Sequence, residues 1–311
     1  MSGGSPPTNG TFLLLGGSGQ VGYELQRALQ GLGRIVTPSR AQLDLRDMAA
    51  VRAVLRGARP MVVLNAAAYT AVDRAESEPQ EAALVNAELP RVLAEEARDL
   101  GALMVHYSTD YVFDGSLARA YREDDTPMPL NVYGATKLEG DRAIEEVAPL
   151  HLNFRTSWVY GARGQNFLRT MLRLARERDE LRIVGDQRGA PTWSRSIAEV
   201  TAHVLSRGLA VPGIDRSWWA ERSGIYNLCA SGETTWAGFA SAIFDEFELP
   251  KRPTVQVIAS ADYRSAARRP VDSRLNTDKL FHVFGLRVPD WRESLALCAA
   301  DVRANPPEQA Q

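Results

Sequence analysis

The chain opens its regular patterning with a continuous apolar run, Thr11-Phe-Leu-Leu-Leu15, the mark of a strand buried on both faces of a parallel sheet. A glycine-rich turn follows. Over residues 20–30, Val21, Leu25, Ala28 and Leu29 recur at helical spacing until Gly31 and Gly33 stop the helix. The alternation then repeats: a strand at 34–37, a helix near 47–56, a strand at 61–65, one long helix over about 79–100 and a strand at 102–108. A loop rich in Pro, Asp and Gly at about 114–131 leads to a helix at 133–147 and a strand at 151–154. Repeated strand–helix units predict an α/β fold with a doubly wound parallel sheet, whose ligands sit beyond the carboxyl ends of the strands.

The pattern changes character after residue 155. Helices are interrupted by turn-rich pieces at 185–191, 211–213 and 265–270, with less regular alternation. We therefore expect a flexible leader at 1–10, a dinucleotide-binding domain at 11–155 and, at 156–311, mainly a smaller C-terminal substrate-binding lobe, some of whose segments return to the first domain. The Trp218-Trp219 pair reads as packed aromatic surface rather than a stacking site.

Composition narrows the class. A length of 311 residues accommodates a large domain and a smaller lobe at roughly 150 residues per domain. Hydrophobic residues make up 45% and charged residues 24%, with mean hydropathy −0.23, values of a soluble globular chain. A formal net charge of −2 provides no global positive field for nucleic acid. Cys229 and Cys298 lie far apart without CxxC spacing, so neither a disulfide framework nor a zinc site is expected, and a reducing cytoplasm fits. The first ten residues lack the basic and apolar regions of a signal peptide, and no apolar stretch approaches the roughly 18 residues of a membrane span.

Candidate chemistry begins at the first turn. Gly16, Gly19 and Gly22 form G-x-x-G-x-x-G between the first strand and helix, the context a dinucleotide fingerprint requires. A turn without Cβ atoms lets backbone amides approach a pyrophosphate, and the helix start favours the anion. An NAD-specific site places an acid about 20 residues further on; here that region reads Thr37-Pro-Ser-Arg40. Ser39 and Arg40 suit a 2′-phosphate, so NADPH is predicted as the preferred cofactor, with NADH also accepted. Asp44 either reaches the adenine or belongs to a helix cap. The small side chains of Asn65-Ala-Ala-Ala-Tyr-Thr70 suit either a cofactor lying against backbone or tight packing alone.

The most specific feature is Tyr133-Gly-Ala-Thr-Lys137. Residues i and i+4 share a helix face, so the ammonium can lie beside the phenol and lower its pKa toward working pH. The chain has three lysines against 33 arginines and nine tyrosines, so only about 0.09 Y-x-x-x-K matches are expected by accident. Lysine among so many arginines points to a place needing a compact cation. Upstream, Ser108-Thr109-Asp110 ends a strand and offers a hydroxyl that can polarise a carbonyl. Together these residues suggest a hydride-transfer site.

With these motifs the sequence resembles the dTDP-4-dehydrorhamnose reductases, Rossmann-type enzymes of the extended short-chain dehydrogenase/reductase family. The stretches that carry the resemblance are 16–22, 65–73, 106–113, 131–137, 154–160, 186–192 and 267–276. It implies reduction of the 4-keto group of dTDP-4-dehydro-β-L-rhamnose to dTDP-β-L-rhamnose, with Tyr133 as proton donor, Lys137 holding the nicotinamide ribose and Thr109 bonding the reacting oxygen. It also implies cofactor positions at Gly19, Gln20, Val21, Asp44, Leu45, Ala68, Tyr69, Thr70 and Tyr107, and sugar-nucleotide positions at Asp110 and Trp158. Arg268, Arg269 and Arg274 are expected as diphosphate ligands, since guanidinium forks suit phosphate oxygens. Some relatives dimerise through Mg2+ held by glutamates; Glu24 matches one such position, but Arg195 stands at another, which argues against that metal-linked dimer and leaves a monomer or a homodimer. Related dehydratases carry an acid where this chain has Tyr111, so simple reduction is expected. Two alternatives stay open: a reductase of another dTDP-4-ketosugar, and a non-catalytic NADP-binding regulatory subunit of methionine adenosyltransferase type.

Overall fold

The computed structural model of the chain describes residues 10–209, 215–247 and 249–304. Nearly all of the leader expected at 1–10, and the turn expected at 211–213, lie outside the described residues. Six strands form one wholly parallel sheet: β1 (Thr11–Leu15), β2 (Arg34–Val36), β3 (Val62–Asn65), β4 (Leu103–Thr109), β5 (His151–Thr156) and β6 (Gly224–Asn227), in the order β6-β5-β4-β3-β1-β2. The apolar runs of β1, β3 and β4 reflect cover on both faces of the sheet. In β1, Phe12 and Leu14 enter one core and Leu13 and Leu15 the other. Likewise Leu103, Val105 and Tyr107 of β4 face one side while Met104 faces the other, the period of two that a strand imposes.

Helices α1 (Gln20–Ala28), α2 (Met48–Ala58), α3 (Leu89–Leu100), α4 (Val132–Val147) and α5 (Ser194–Gly208) sit around this sheet. Strand β3 follows β2 in the chain but pairs on the opposite side of β1. The strand order therefore reverses between β1 and β3, and the crevice at their carboxyl ends is where such sheets bind ligands.

The long helix expected over 79–100 is not one helix. Pro79–Ala83 passes into a π turn at Leu84–Glu88 and then into α3. Pro90 has no N–H to give the carbonyl of Asn86, and the freed Asn86 oxygen faces Gly140 of α4, where a Cβ would lie only 2.1 Å from it.

The chain beyond β5 is divided. Helix α5 packs on α1, and β6 closes the sheet beside β5. Short pairings outside the sheet organise the rest: Val159–Tyr160 with Thr192–Trp193, Glu180–Val184 with Thr254–Ile258, and Arg188–Gly189 with Thr234–Thr235. Trp219 is fully buried and meets Trp218 edge-on at 4.7 Å, so that pair is packing, deeper than a surface feature. Both cysteines are free and buried. Among the described residues no helix is long and apolar enough to cross a membrane.

Candidate active site and relatives

The glycine turn is built for close approach. Gly16 has φ +76°, and a Cβ there would stand 2.6 Å from the Ala66 carbonyl carbon and the Ala67 nitrogen. A Cβ on Gly22 would stand 2.1 Å from the Gly16 oxygen. Gly19 caps α1 without a side chain, and its N–H closes the turn on Gly16 O at 2.9 Å. Gln20 and Val21 form the first turn of α1, with Gln20 Oε1 accepting from Asn166 Nδ2 at 3.0 Å. This cradle, at the reversal of strand order, fits a dinucleotide pyrophosphate.

Around it, Ala66–Thr70 leaves the end of β3. Ala68 and Tyr69 are half-buried and Thr70 is exposed. The segment is fixed by Asn86 of the π turn, which accepts from Tyr69 N at 2.8 Å and donates to Tyr69 O at 3.1 Å. Beyond β2, Ser39 bonds Gln42 and is exposed with Arg40. Asp44 is exposed, and its salt bridge to Arg46 at 2.8 Å holds the carboxyl down at about 2; Leu45 packs on the second core. The helix cap suggested for this stretch is made by Asp47, which accepts from Ala50 N.

Helix α4 is delivered to the site by its cap. Asn131 Oδ1 accepts from Gly134 N at 2.8 Å, an interaction worth about 1 kcal/mol, while Asn131 Nδ2 donates to Arg268 O at 2.7 Å. A Cβ on Gly134 would sit 2.1 Å from Tyr111 O, so the glycine between Tyr133 and Lys137 lets the helix close on β4's extension. Tyr133 meets Tyr111 edge-on at 5.9 Å and is in hydrogen-bonding contact with Thr109. Thr109, Tyr133 and Lys137 are thus brought together at the carboxyl end of β4.

The electrostatics depart from expectation in one respect. Burial pushes the Tyr133 phenol up to about 12; contact with Thr109 pulls it down, and Asp110 and Asp141 push it further up. The Lys137 ammonium, fully buried, does not hold the phenol down, because it is engaged elsewhere: Nζ lies 2.7 Å from Tyr107 O and 2.9 Å from His106 Nε2. Burial lowers Lys137 to about 8, partly offset by Asp141.

Several residues implied by the resemblance occupy other roles in the geometry. The Tyr107 ring is buried and its hydroxyl pairs with Thr201 of α5 at 3.0 Å, so only its backbone oxygen serves the site. Asp110 is 2% exposed: it accepts from Thr109 Oγ1 at 3.1 Å and Ser157 Oγ at 3.0 Å, with Ser273 a third partner, and burial pushes its carboxyl up to about 6. It stands behind Thr109 rather than open to a ligand. Arg269 is held by Asp73 at 2.7 Å and reaches Tyr111; Arg268 is exposed. Arg274 is tied to Asp272 at 2.6 Å and to Glu233, which occupies the fork expected for phosphate. Trp158, with a φ of +46° rare for a bulky residue, stacks on Trp236 at 3.6 Å and 6°. Glu24 is buried and held by Arg195 at 3.2 Å, whose other arm meets Asp301 at 2.6 Å. Among the described residues no cluster of His, Cys, Asp and Glu could hold a metal.

Sequence reasoning passed over Asn86, Asn65, His106 as a side chain, and Trp236. Only the first had a readable trace, a proline inside an expected helix.

Comparisons with known proteins give the family of the chain. The family model described as the RmlD substrate binding domain matches residues 10–304. The dTDP-4-dehydrorhamnose reductase of Burkholderia thailandensis is 46% identical over 297 residues, covering 94% of this chain and 98% of its own length. The crystal structure of the Clostridium acetobutylicum dTDP-4-dehydrorhamnose reductase superposes with TM-score 0.86 at 32% identity, covering 94% of this chain and 99% of that one. The Bacillus anthracis dTDP-4-dehydrorhamnose reductase, solved in complex with NADP, gives TM-score 0.84 at 31% identity over 94% and 99%. The chain belongs to the dTDP-4-dehydrorhamnose reductase family.

Proposed function

We propose that this chain reduces the 4-keto group of dTDP-4-dehydro-β-L-rhamnose to give dTDP-β-L-rhamnose, with NADPH used in preference to NADH. The observation that carries the reading is the meeting of Thr109, Tyr133 and Lys137 beside a glycine cradle that fits a dinucleotide. The cradle of Gly16, Gly19, Gln20, Val21 and Gly22 holds the pyrophosphate, with Ser39 and Arg40 toward a 2′-phosphate. NADPH bound there supplies the hydride.

The remaining work falls to side chains. A phenol pushed up to about 12 is fully protonated at neutral pH, so Tyr133 stands loaded as the acid that protonates the sugar oxygen. Thr109 turns its hydroxyl proton from Asp110 to the same oxygen, and Lys137 holds the nicotinamide ribose with the ammonium donor that Tyr107 O and His106 Nε2 leave. Asp110 orients Thr109 instead of touching the sugar. Trp158 offers the sugar nucleotide an aromatic wall, and Arg268 and Arg269 face the diphosphate. Residues 11–155 with Ser194–Gly208 and Gly224–Asn227 carry the cofactor, and the other described segments after residue 155 carry the substrate. A cytoplasmic setting belongs to the same reading, in keeping with two free thiols.

The test is to supply dTDP-glucose with a 4,6-dehydratase and a 3,5-epimerase, follow oxidation of NADPH and of NADH, and identify the product sugar. Formation of dTDP-rhamnose with faster NADPH oxidation is expected. A different dTDP-deoxysugar would overturn the substrate assignment, and absence of turnover with tight NADPH binding would favour a regulatory subunit.

A further inference from the structure

Behind Lys137 lies a line of polar side chains with no solvent exposure: Asn65 at the end of β3, His106 in β4 and Lys137 in α4. Asn65 and His106 are register partners in adjacent strands, so their side chains stand on the same face of the sheet, under α4. Asn65 Oδ1 accepts from Ala67 N at 3.2 Å, Asn65 Nδ2 lies 3.1 Å from His106 Nδ1, and His106 Nε2 lies 2.9 Å from Lys137 Nζ. The charged and titratable groups around the pair are few. Tyr133 and Asp141 share α4 with Lys137, Arg155 of β5 holds Asp141 at 3.4 Å, and Asp110 lies past the end of β4.

Donor and acceptor counting makes this line informative. A neutral imidazole carries one ring proton, and burial alone keeps His106 neutral whichever charge Lys137 carries. With Asn65 Oδ1 committed to Ala67 N, Asn65 donates to Nδ1, the ring proton sits on Nε2, and Lys137 must receive it as a neutral amine. An ammonium at Lys137 requires the opposite arrangement: a lone pair on Nε2, the proton on Nδ1, and the Asn65 amide turned over, away from Ala67 N. Amide orientation and tautomer are therefore set jointly with the lysine charge.

We propose that His106 is a positioning residue of the reduction, whose Nε2 fixes the Lys137 head group and whose tautomer, relayed by Asn65, changes with the charge that head group carries. The inference rests on the role given to Lys137 above. Tyr107 O and His106 Nε2 take two of the three ammonium donors, leaving one N–H for the reacting side. Ala67 N, at the other end of the line, lies against Gly16 in the cofactor cradle, so the lysine charge is linked to the turn that receives the dinucleotide.

Two substitutions separate positioning from packing. Gln at 106 places an amide where Nε2 stands, whereas Asn reaches only the Nδ1 position and keeps contact with Asn65 alone. H106N is expected to lower kcat about tenfold and to move the alkaline limb of the kcat/KM profile about one pH unit lower, because the ammonium has lost an acceptor. H106Q is expected to recover most of both losses. Thermal unfolding of both variants checks that they fold. Equal kcat and equal alkaline limbs in H106N and H106Q would overturn the proposal.

A readout independent of turnover comes from 15N-histidine NMR of the full chain, with the His106 signal identified by its loss in H106N. The ring proton is expected to pass from Nδ1 to Nε2 as pH rises through about 8, where burial sets the Lys137 titration, and this change is expected to vanish in Lys137→Met. A tautomer unchanged from pH 6 to 10 would overturn the linkage even in an active enzyme. Failure of the reductase reading is seen separately, as a wild-type protein that shows the tautomer change but turns over no dTDP-ketosugar.

Discussion

Thr109 donates its hydroxyl proton to the carboxylate of Asp110 across 3.1 Å, and both residues are buried. The pair fixes the hydroxyl proposed to act in catalysis at the cost of enclosing a negative charge.

That cost is measurable as a pH dependence. Burial raises Asp110 from an ordinary 3.8 to about 6, so the folded protein binds its proton more tightly than the unfolded chain does. Its contribution to stability is complete below about pH 4 and is lost as pH rises through about 6. The loss amounts to about 3 kcal/mol, at 1.36 kcal/mol per pH unit. Asp110→Asn keeps the shape without the charge, so it is expected to gain stability relative to wild type at pH 8 and little at pH 4.5. Denaturant titrations at the two pH values check this. A difference independent of pH would place the cost elsewhere.

Tyr133→Phe removes the acid but little volume. Turnover is expected to fall about 10²-fold or more, the range for a lost general acid, with NADPH affinity nearly unchanged. The wild-type rate is expected to decline above about pH 8. That limb belongs to Lys137, lowered to about 8 by burial, whereas Tyr133 at about 12 stays protonated throughout. A decline that begins only near pH 10 would mean that the ammonium is not required.

The parts of this site that were legible in the sequence share a physical cause. Strands covered on both faces are apolar except where a polar side chain finds a buried partner, so the apolar runs of β1, β3 and β4 announced themselves. Glycines at 16 and 22 are forced by backbone approach, and Lys137 stood out because the chain otherwise uses arginine. What was not legible depends on partners far apart in the chain. The direction of the Tyr133 shift follows from Lys137 turning to His106 and Tyr107 O instead of the phenol, and no spacing of residues along α4 reveals that. Pro90 left a trace of the π turn at Leu84–Glu88, but the reach of Asn86 to both Tyr69 and Thr136 left none. Trp236 begins a helix that follows a two-residue strand, too short to carry a period.

The contact of the π turn with α4 yields a contrast between two helical glycines. A Cβ at Gly140 would meet Asn86 O at 2.1 Å and Pro90 Cγ at 3.3 Å, while one at Gly57 of α2 meets nothing within 4 Å. Alanine gains about 1 kcal/mol over glycine in a helix interior, so Gly57→Ala is expected to stabilise by about 0.5–1 kcal/mol. At Gly140 the obstacle is backbone, which cannot swing aside, and overpacking of about 1–3 kcal/mol dominates. Gly140→Ala is therefore expected to destabilise and, by displacing α4, to lower kcat. Stabilisation by both substitutions in chemical denaturation would contradict the close approach.

Trp158 holds a left-handed backbone, φ +46°, which a bulky residue keeps only where its surroundings demand it. Two features demand it here. Gly189 leaves room for the ring, since a Cβ there would stand 2.4 Å from it, and Trp236 stacks flush against it at 3.6 Å. Trp236 is itself braced by Phe167 at 4.7 Å and by its indole N–H to Gln187 Oε1 at 3.1 Å. Removing Trp236 leaves one face of Trp158 unsupported without touching Thr109, Tyr133 or Lys137. Trp236→Ala is expected to cost about 2–3 kcal/mol of stability, below the range for a fully buried tryptophan because Trp236 is half-buried. It is also expected to raise KM for the sugar nucleotide about tenfold, while kcat and the KM for NADPH stay within about threefold, the pattern of lost uniform binding. Trp236→Phe keeps a stacking ring and is expected to restore most of the KM. If kcat fell as far as kcat/KM in Trp236→Ala, the stack would be acting on the chemical step, and Trp158 would have to be placed closer to the reacting carbon than a binding wall.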